Sequence, residues 1–322
     1  MVDKEKSLKP AVPQTPAVPV GTSFTTQKYL FAFATQYEIR NYLRTQAIPD
    51  EAGRIAEILQ AWQNVQPRVQ ELVESEAGLA AQITVENLPQ DIDERVGRIL
   101  NSDLIRKTFQ LPLGVALIDI DKLIVPHRAV NLDFISRLHS ELPAKPRRDD
   151  LIKFCLSSER PLAPIQHLEL GQNIHVFTSP SVDLRFLGAF LKDTLTTDDI
   201  VYAQMGGVPA PAIISFVGYG VYPVTVLLTE NRIVLNNGFH RVYALRALGI
   251  EKIPVLVQRV ANPQLEFPAQ IAGVPAEYLL GHQRPVLMKD FFEPDFTTDI
   301  RVRNRLRTVT VQVSAGQHDV PA

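Results

Sequence analysis

The sequence predicts an α+β protein in which a helical N-terminal region is followed by a domain built on a mixed sheet. Apolar residues recur at helical spacing between about residues 25 and 110, whereas apolar, β-prone runs bounded by turn residues follow after residue 113. The chain has 322 residues, of which 45% are hydrophobic and 21% charged. It is therefore long enough to bury a sizeable core in one large or two modest domains.

The charge and the cysteine content exclude several classes of protein. A formal net charge of −2 argues against a globally basic nucleic-acid binder, so any contact with DNA has to be local. The single cysteine, Cys155, permits neither an intramolecular disulfide nor a cysteine-based metal cluster. This fits a reducing cytosol, and we expect a cytoplasmic protein.

Residues 1–24 form a predicted lead-in to the folded chain. Proline and valine alternate here without the continuous apolar stretch of a signal peptide, so we expect the segment to be extended or disordered. The chain also lacks an apolar run of about 18 residues, the length that suggests a membrane span. We therefore expect neither export through a standard signal nor a membrane partner.

Residues 25–112 are predicted to be helical. The first apolar stripe consists of Tyr29, Phe33 and Tyr37. A second helix is expected to begin at Pro49 and to carry a long stripe through Val73, with a kink or break near Gln66 because Pro67 lies inside the stripe. A third helix is predicted over 91–109. The simplest interpretation of these stripes is that they pack on one another or on the next domain.

A strand is predicted over 114–125, followed by a loop that contains Pro126, His127 and Arg128 and by a helix that reaches Leu142. Residues 143–212 are then treated as an insertion. The mixed charges at 145–150 indicate a solvated helix start, and glycine and proline at 206–211 indicate a loop that would serve as a lid.

Two histidines, His167 and His175, lie in the insertion without a carboxylate pair nearby at ligand spacing. No metal site is predicted there, and none is predicted elsewhere in the chain.

The segment 222–257 has the strongest local pattern. It predicts a hairpin that turns at Glu230 and Asn231, a glycine turn at Asn237 and Gly238, a helix ended by Gly249, and a final strand. A helix that opens at a glycine turn presents unpaired backbone N–H groups and the positive end of its dipole. His240 and Arg241 lie in its first turn, so a phosphate is the expected ligand.

Residues 263–322 are predicted to be a C-terminal extension. Alternation over 301–313 indicates one strand with a basic face, to which Arg301, Arg303, Arg305 and Arg307 all contribute. Such a face is usually solvated, although it also suits an anionic partner. Prolines and strand-like alternation replace the two short helices of a helix-turn-helix, which argues against specific recognition of DNA.

The order Asn-Gly-Phe-His-Arg, an Ala/Leu-rich helix, a glycine and an Ile-Pro-Val strand resembles the nucleotide-binding core of the ParB/sulfiredoxin superfamily. The resemblance covers roughly 115–142 and 220–260, and it implies a ParB/sulfiredoxin-like mixed-sheet domain over 113–262 that contains the insertion. It also implies phosphate contacts from Gly238, His240 and Arg241.

The chain departs from each branch of that superfamily. Phe239 stands where sulfiredoxins carry the reactive cysteine, and Arg128 stands where the free-serine kinase carries its catalytic glutamate. An arginine cannot act as a base at neutral pH, but it can bind phosphate. After Val260 the chain lacks the Glu-Asn-x-Gln-Arg segment and the helix-turn-helix of partition CTPases.

Two functions therefore stay open. One is phosphoryl transfer or nucleotide hydrolysis, with Mg²⁺ sharing the phosphate charge. The other is a nucleotide-responsive or DNA-associated binding module without chemistry. An enzyme would need a carboxylate near the glycine turn, and the candidates are Asp119, Asp121, Asp183 and Glu230.

The expected ligand is a nucleoside di- or triphosphate or another phosphorylated small molecule. The predicted binding residues are Asn237, Gly238, His240, Arg241 and Arg128. Arg241 is expected to contribute the largest share of the phosphate affinity, and its replacement by alanine is expected to leave the fold intact. The sequence does not determine the oligomeric state.

Overall fold

A computed structural model describes residues 24–319, apart from 89–92, 110–111, 158–161, 172, 182, 197–198, 200–210 and 221. Residues 1–23 of the predicted lead-in and 206–210 of the predicted loop lie outside this part of the chain. Helices and several separate sheets confirm the α+β class.

The strands are β1 (Phe24–Leu30), β2 (Val85–Asn87), β3 (Leu113–Asp119), β4 (Ala129–Asn131), β5 (Gln166–Glu169), β6 (Ile174–Ser179), β7 (Leu184–Lys192), β8 (Ala212–Tyr219), β9 (Thr225–Leu228), β10 (Ile233–Asn237), β11 (Lys252–Arg259), β12 (Gln270–Ile271), β13 (Val274–Pro275), β14 (Thr297–Arg303) and β15 (Arg307–Gln312). The α-helices are α1 (Gln36–Thr45), α2 (Pro49–Ala52), α3 (Ile55–Ser75), α4 (Asp93–Leu100), α5 (Asp103–Thr108), α6 (Leu132–Ser140), α7 (Arg148–Leu156), α8 (Phe239–Ala247), α9 (Pro263–Glu266) and α10 (Ala276–Gly281).

A five-stranded sheet with the order β10-β9-β11-β3-β2 forms the centre of the molecule. β9 and β11 are parallel, and the other neighbours are antiparallel. The mixed sheet, the β9–β10 hairpin and the helix α8 agree with the predicted order of elements. Both faces of the sheet are covered, because β9 and most of β11 are fully buried.

A second sheet joins distant parts of the chain in the order β14-β1-β4. The helix predicted to begin near residue 25 is wrong here, because Phe24–Leu30 is the central strand of this sheet. Tyr29 and Phe33 recur at helical spacing, but Phe33 lies in the turn that follows β1, and β14 and β4 satisfy the backbone of β1 from both sides.

The predicted second helix forms as α2 and α3. α3 continues through Pro67, so the expected break near Gln66 does not occur. Side chains of this helix fix it to the segment after β1: Trp62 Nε1 donates to the Ala34 carbonyl at 2.7 Å, and Gln66 Nε2 donates to the Ala32 carbonyl at 3.0 Å. The predicted third helix is divided into α4 and α5, and its first two residues lie outside the described chain.

The single basic strand predicted over 301–313 is also wrong. The chain leaves β14 at Arg303 and enters β15 at Arg307, and these strands belong to different sheets. The basic side chains separate accordingly: Arg301 pairs with Glu51 at 2.9 Å, whereas Arg307 donates to the Leu184 carbonyl at 3.3 Å. No continuous basic face results from these residues.

The predicted insertion, 143–212, contributes α7, which packs on β11, and the strands β5 to β7, and it ends at the first residue of β8. β5 and β6 form a three-stranded sheet with β15, and β7 pairs with β8. The β7–β8 hairpin leaves several large apolar side chains about half exposed, among them Phe186, Phe190 and Phe216. Among the described helices, none combines the length and the apolarity needed to cross a membrane.

Candidate functional site

Two loops meet at one edge of the central sheet because the segments that lead into them run in parallel. Ile124 forms a parallel bridge with Val234: its N–H donates to the Ile233 carbonyl at 3.1 Å, and its carbonyl accepts from Leu235 N–H at 2.9 Å. We name the loop after the first segment, Pro126–Arg128, the PHR loop. We name the loop after the second, 236–240, the glycine turn. Neighbouring parallel segments end at the same edge, which is where such sheets commonly bind ligands.

The side chains of the two loops contact each other directly. The His127 ring stacks on the Phe239 ring with a centroid distance of 4.4 Å and an interplanar angle of 7°. The backbone N–H of Asn131, just after the PHR loop, donates to His240 Nε2 at 3.2 Å. His240 therefore carries its proton on Nδ1 when neutral. The structure thus brings together His240 and the loop of Arg128, which are about 110 residues apart in sequence.

Glycine is required at position 238 by both conformation and space. Its φ of +95° lies in the left-handed region, and a Cβ there would come within 2.8 Å of Val224 Cγ2. Gly238 precedes the first residue of α8, and no side chain caps this helix. The start of α8 therefore presents backbone N–H groups and a positive dipole end that no side chain among the described residues caps by a hydrogen bond.

The two histidines of the site are held neutral. Burial lowers the pKa of His127 to about 4, with a further contribution from Arg128. Burial also lowers the pKa of His240 to about 3, assisted by the nearby His127. At neutral pH both rings are therefore uncharged, and any positive charge at the site comes from arginine and from the helix dipole.

The Arg128 side chain, next to His127 in the PHR loop, has no anionic partner among the described residues. It is half-buried, and within the described residues it makes no hydrogen bond and no ion pair. Its Nη1 atom is buried and has no hydrogen-bond partner in the described part of the chain, and the same holds for His127 Nδ1. The guanidinium lies over the Tyr278 ring of α10, 5.7 Å from the ring centroid. Such a cation is placed to bind an anion that comes from outside the chain.

Arg241 is used differently. Its side chain is buried; Nη1 donates to the Phe154 carbonyl at 3.1 Å, Nη2 donates to the Tyr222 carbonyl, and the guanidinium stacks 4.2 Å from the Tyr222 ring. Phe154 lies in the last turn of α7, so the arginine also complements the negative end of that helix dipole. Replacement of Arg241 is therefore expected to loosen the fold, in contrast to the expectation from sequence.

Asn237 also has an internal role, because its Nδ2 donates to the Pro223 carbonyl at 2.9 Å. Together with Arg241 it holds the chain that enters β9 against the glycine turn. Sequence reasoning missed Tyr278 and Tyr222, which carry no motif and become neighbours of the arginines only through the fold.

Three of the four candidate carboxylates lie away from the glycine turn. Asp121 pairs with Arg246 at 2.6 Å, in the last turn of α8, and Asp119 accepts from the Asp121 N–H beside it. Glu230 is exposed at the opposite end of β10. Asp183 pairs with Arg185 and lies near Gly220, on the chain that leads to Tyr222.

In the described chain, no group of three or more histidine, cysteine, aspartate or glutamate side chains is arranged to hold a metal ion. Comparison of the sequence and the structure with models of protein families, with curated proteins and with solved structures finds no match. The resemblance to the ParB/sulfiredoxin superfamily therefore stays a prediction that depends on the short motif around Gly238.

Proposed function

We propose that this protein binds a nucleoside di- or triphosphate, or another phosphorylated small molecule, between the PHR loop and the glycine turn. The observation that carries this proposal is Arg128, a half-buried guanidinium without an anionic partner among the described residues. Removing a charge from water without a partner costs free energy, so an incoming phosphate that pairs with Arg128 recovers part of that cost.

The parts of the site divide the recognition of a phosphate between them. Gly238 lets the backbone approach the ligand closely, and the start of α8 offers N–H donors to the phosphate oxygens. Arg128 supplies a forked, charged donor pair. The neutral His240 ring adds a donor at Nδ1, since its Nε2 is already occupied by the Asn131 N–H. We assign the largest share of the phosphate affinity to Arg128 because Arg241 is engaged by two carbonyls.

Binding without chemistry is the favoured form of this function. Phosphoryl transfer and hydrolysis require a group that orients the nucleophile, and Mg²⁺ in nucleotide sites is usually held by one or two carboxylates in addition to phosphates. Asp119, Asp121 and Glu230 lie away from the glycine turn. Only Asp183, near Gly220, supports the alternative of an enzyme.

Isothermal titration with ATP, ADP, CTP and GTP, with and without Mg²⁺, tests the proposal. Arg128→Gln is expected to weaken the bound nucleotide about ten- to a hundredfold, because it removes a charge-assisted contact worth roughly 1.5–3 kcal/mol. Arg106→Gln is the matched control: it removes the same charge from an exposed position in α5 and is expected to leave the affinity unchanged.

If none of the four nucleotides binds the parent protein below about millimolar concentration, the proposal fails for nucleotides. If a nucleotide binds and Arg128→Gln leaves its affinity unchanged, the site lies elsewhere. Release of inorganic phosphate from the bound nucleotide, lost in Asp183→Asn, would favour the enzyme over the binding module.

A further inference from the structure

A pair of histidines that the phosphate site does not use lies on the sheet formed by β15, β6 and β5. His167 Nε2 and His175 Nδ1 share a hydrogen bond of 3.2 Å, in which one ring nitrogen donates and the other accepts, and the ring centroids are 5.3 Å apart. His167 is exposed and His175 is partly exposed, so the pair lies at the surface. The two residues are eight positions apart in sequence, and only the pairing of β5 with β6 brings them together.

The strand register places a carboxylate on the same face. Glu169 is directly opposite His175, and His167 is directly opposite Phe177. Side chains of residues that face each other across antiparallel strands project to the same side, as do those two positions apart along one strand. His167, Glu169 and His175 therefore share one face of the β5–β6 pair.

We propose that His167 and His175 bind a divalent transition-metal ion of the zinc, copper and nickel class. A metal–nitrogen distance of about 2.0–2.1 Å and a tetrahedral angle place two ligating nitrogens about 3.3 Å apart. The observed separation of 3.2 Å matches that requirement. Imidazole nitrogen is the ligand that this class of ions prefers, whereas Mg²⁺ and Ca²⁺ prefer oxygen.

The pair supplies two protein ligands, and water completes the coordination. Glu169 does not form a three-residue metal-binding group with the two histidines in the described chain, so its side chain would have to turn toward His175 to add a carboxylate oxygen. The ring of Phe177 stacks on His167 with a centroid distance of 4.8 Å and restricts its rotation. A shallow, open site of this kind is expected to bind its ion reversibly and to lose it when protons compete for the imidazoles.

Binding would also cross-link an edge strand to its neighbour. β5 pairs only with β6 among the described strands, and its side chains are exposed throughout. A metal held by one ligand from each strand opposes separation of the two, so the ion should stabilise the native state according to its concentration and affinity.

Isothermal titration calorimetry of the parent protein with Zn²⁺ tests the proposal directly. His167→Gln and His175→Gln are each expected to weaken Zn²⁺ binding at least about tenfold, since each leaves a single imidazole ligand. His318→Gln removes an exposed histidine near the C-terminal end of the described chain and is the matched control. Glu169→Gln reports whether the carboxylate participates: a weaker affinity assigns it as a third ligand.

A second readout does not depend on affinity. Co²⁺ added to the parent is expected to give the visible absorption of a low-symmetry, four-coordinate site, and the double variant His167→Gln/His175→Gln is expected to lose it. The same double variant should lose the rise in melting temperature that Zn²⁺ gives to the parent. The proposal is overturned if the double variant binds Zn²⁺ as tightly as the parent, or if the parent does not bind it below about millimolar concentration.

Arg128→Gln should leave Zn²⁺ binding unchanged. Failure of the metal site can therefore be distinguished from failure of the proposed nucleotide site.

Discussion

At the scale of single residues, Gly238 determines whether the glycine turn can form. Backbone strain alone usually costs about 1–3 kcal/mol. Gly238→Ala is expected to destabilise the protein by more than this, because the new Cβ would also meet Val224 Cγ2 at 2.8 Å. Gly249→Ala is the control: its φ of +79° is similarly strained, but a Cβ there has nothing within 4 Å. Urea unfolding measures both. If the two variants lose the same unfolding free energy, the contact with Val224 relaxes without cost and the prediction is wrong.

His127 and His240 predict a loss of stability at mildly acidic pH. Their pKa values in the folded state, about 4 and about 3, lie below the usual histidine value of 6.5, so the unfolded chain binds more protons than the folded chain when the pH lies between these values. Stability should therefore fall as the pH is lowered through 6.5 toward 4. Each histidine contributes up to about 2 kcal/mol of this loss at pH 5.

Urea midpoints measured from pH 7.5 to pH 5 test this prediction. His127→Gln and His240→Gln are expected to flatten the pH dependence, because glutamine does not titrate, and His318→Gln is expected to leave it unchanged. The prediction fails if the urea midpoint depends on pH with the same slope in the parent and in all three variants. The two rings would then take up protons in the folded state as readily as in the unfolded state.

At the scale of elements, a buried charge network fixes the end of α3 to the segment before β14. Arg284 is 0% exposed and pairs with Asp290, which is 1% exposed, and with Glu76 at 2.8 Å. Burial raises the pKa of Asp290 and the contact with Arg284 opposes this shift. Because both charges are out of water, the loss of one leaves the other incompletely compensated.

Asp290→Asn is therefore expected to cost about 3 kcal/mol or more of unfolding free energy. Asp295→Asn is the control, because it breaks an exposed pair with Arg68 at 2.7 Å and should cost less than about 1 kcal/mol. Thermal unfolding followed by circular dichroism compares the two variants. If Asp290→Asn and Asp295→Asn lower the melting temperature equally, the Arg284 network contributes no more to stability than an exposed ion pair, and the prediction is wrong.

The glycine turn shows how much of an element local sequence can specify. Hairpin, turn, helix and strand follow one another within 222–259, and each was predicted with nearly the observed limits. The spacing of apolar residues, the turn residues and the terminating Gly249 each act on neighbouring residues, so these elements can be specified without a partner far along the chain. The roles of Arg128 and Arg241 could not be read in this way, because their surroundings come from α10, α7 and Tyr222.

At the scale of the whole molecule, β1 joins the two ends of the described chain. It is the central strand between β14 and β4, so it depends on residues about 270 and about 100 positions away. A chain that ends at residue 296 lacks β14 and β15, so it leaves one edge of β1 and one edge of β6 unpaired. We expect it to lose cooperative unfolding in urea, because the backbone groups of β1 and the apolar side chains beneath it become exposed.

A chain that ends at residue 313 is the control for this truncation. It keeps β14 and β15 and removes only exposed residues from the described part of the chain. Its urea midpoint should equal that of the parent. If the chain ending at residue 296 also unfolds with the parent midpoint, the β14-β1-β4 sheet does not contribute to global stability.

The sequence by itself determined the class of the protein, the mixed sheet and the glycine turn that opens α8, because periodicity and turn chemistry are local properties. Only the tertiary structure decided that Phe24–Leu30 is a strand and that 301–313 divides between two sheets, since both depend on partners far along the chain. It also directed the Arg241 side chain into the interior, left Arg128 without an anionic partner in the part of the chain that the structure describes, and placed His167 beside His175. Residue type determines what a side chain can bind, but packing determines which partners it meets.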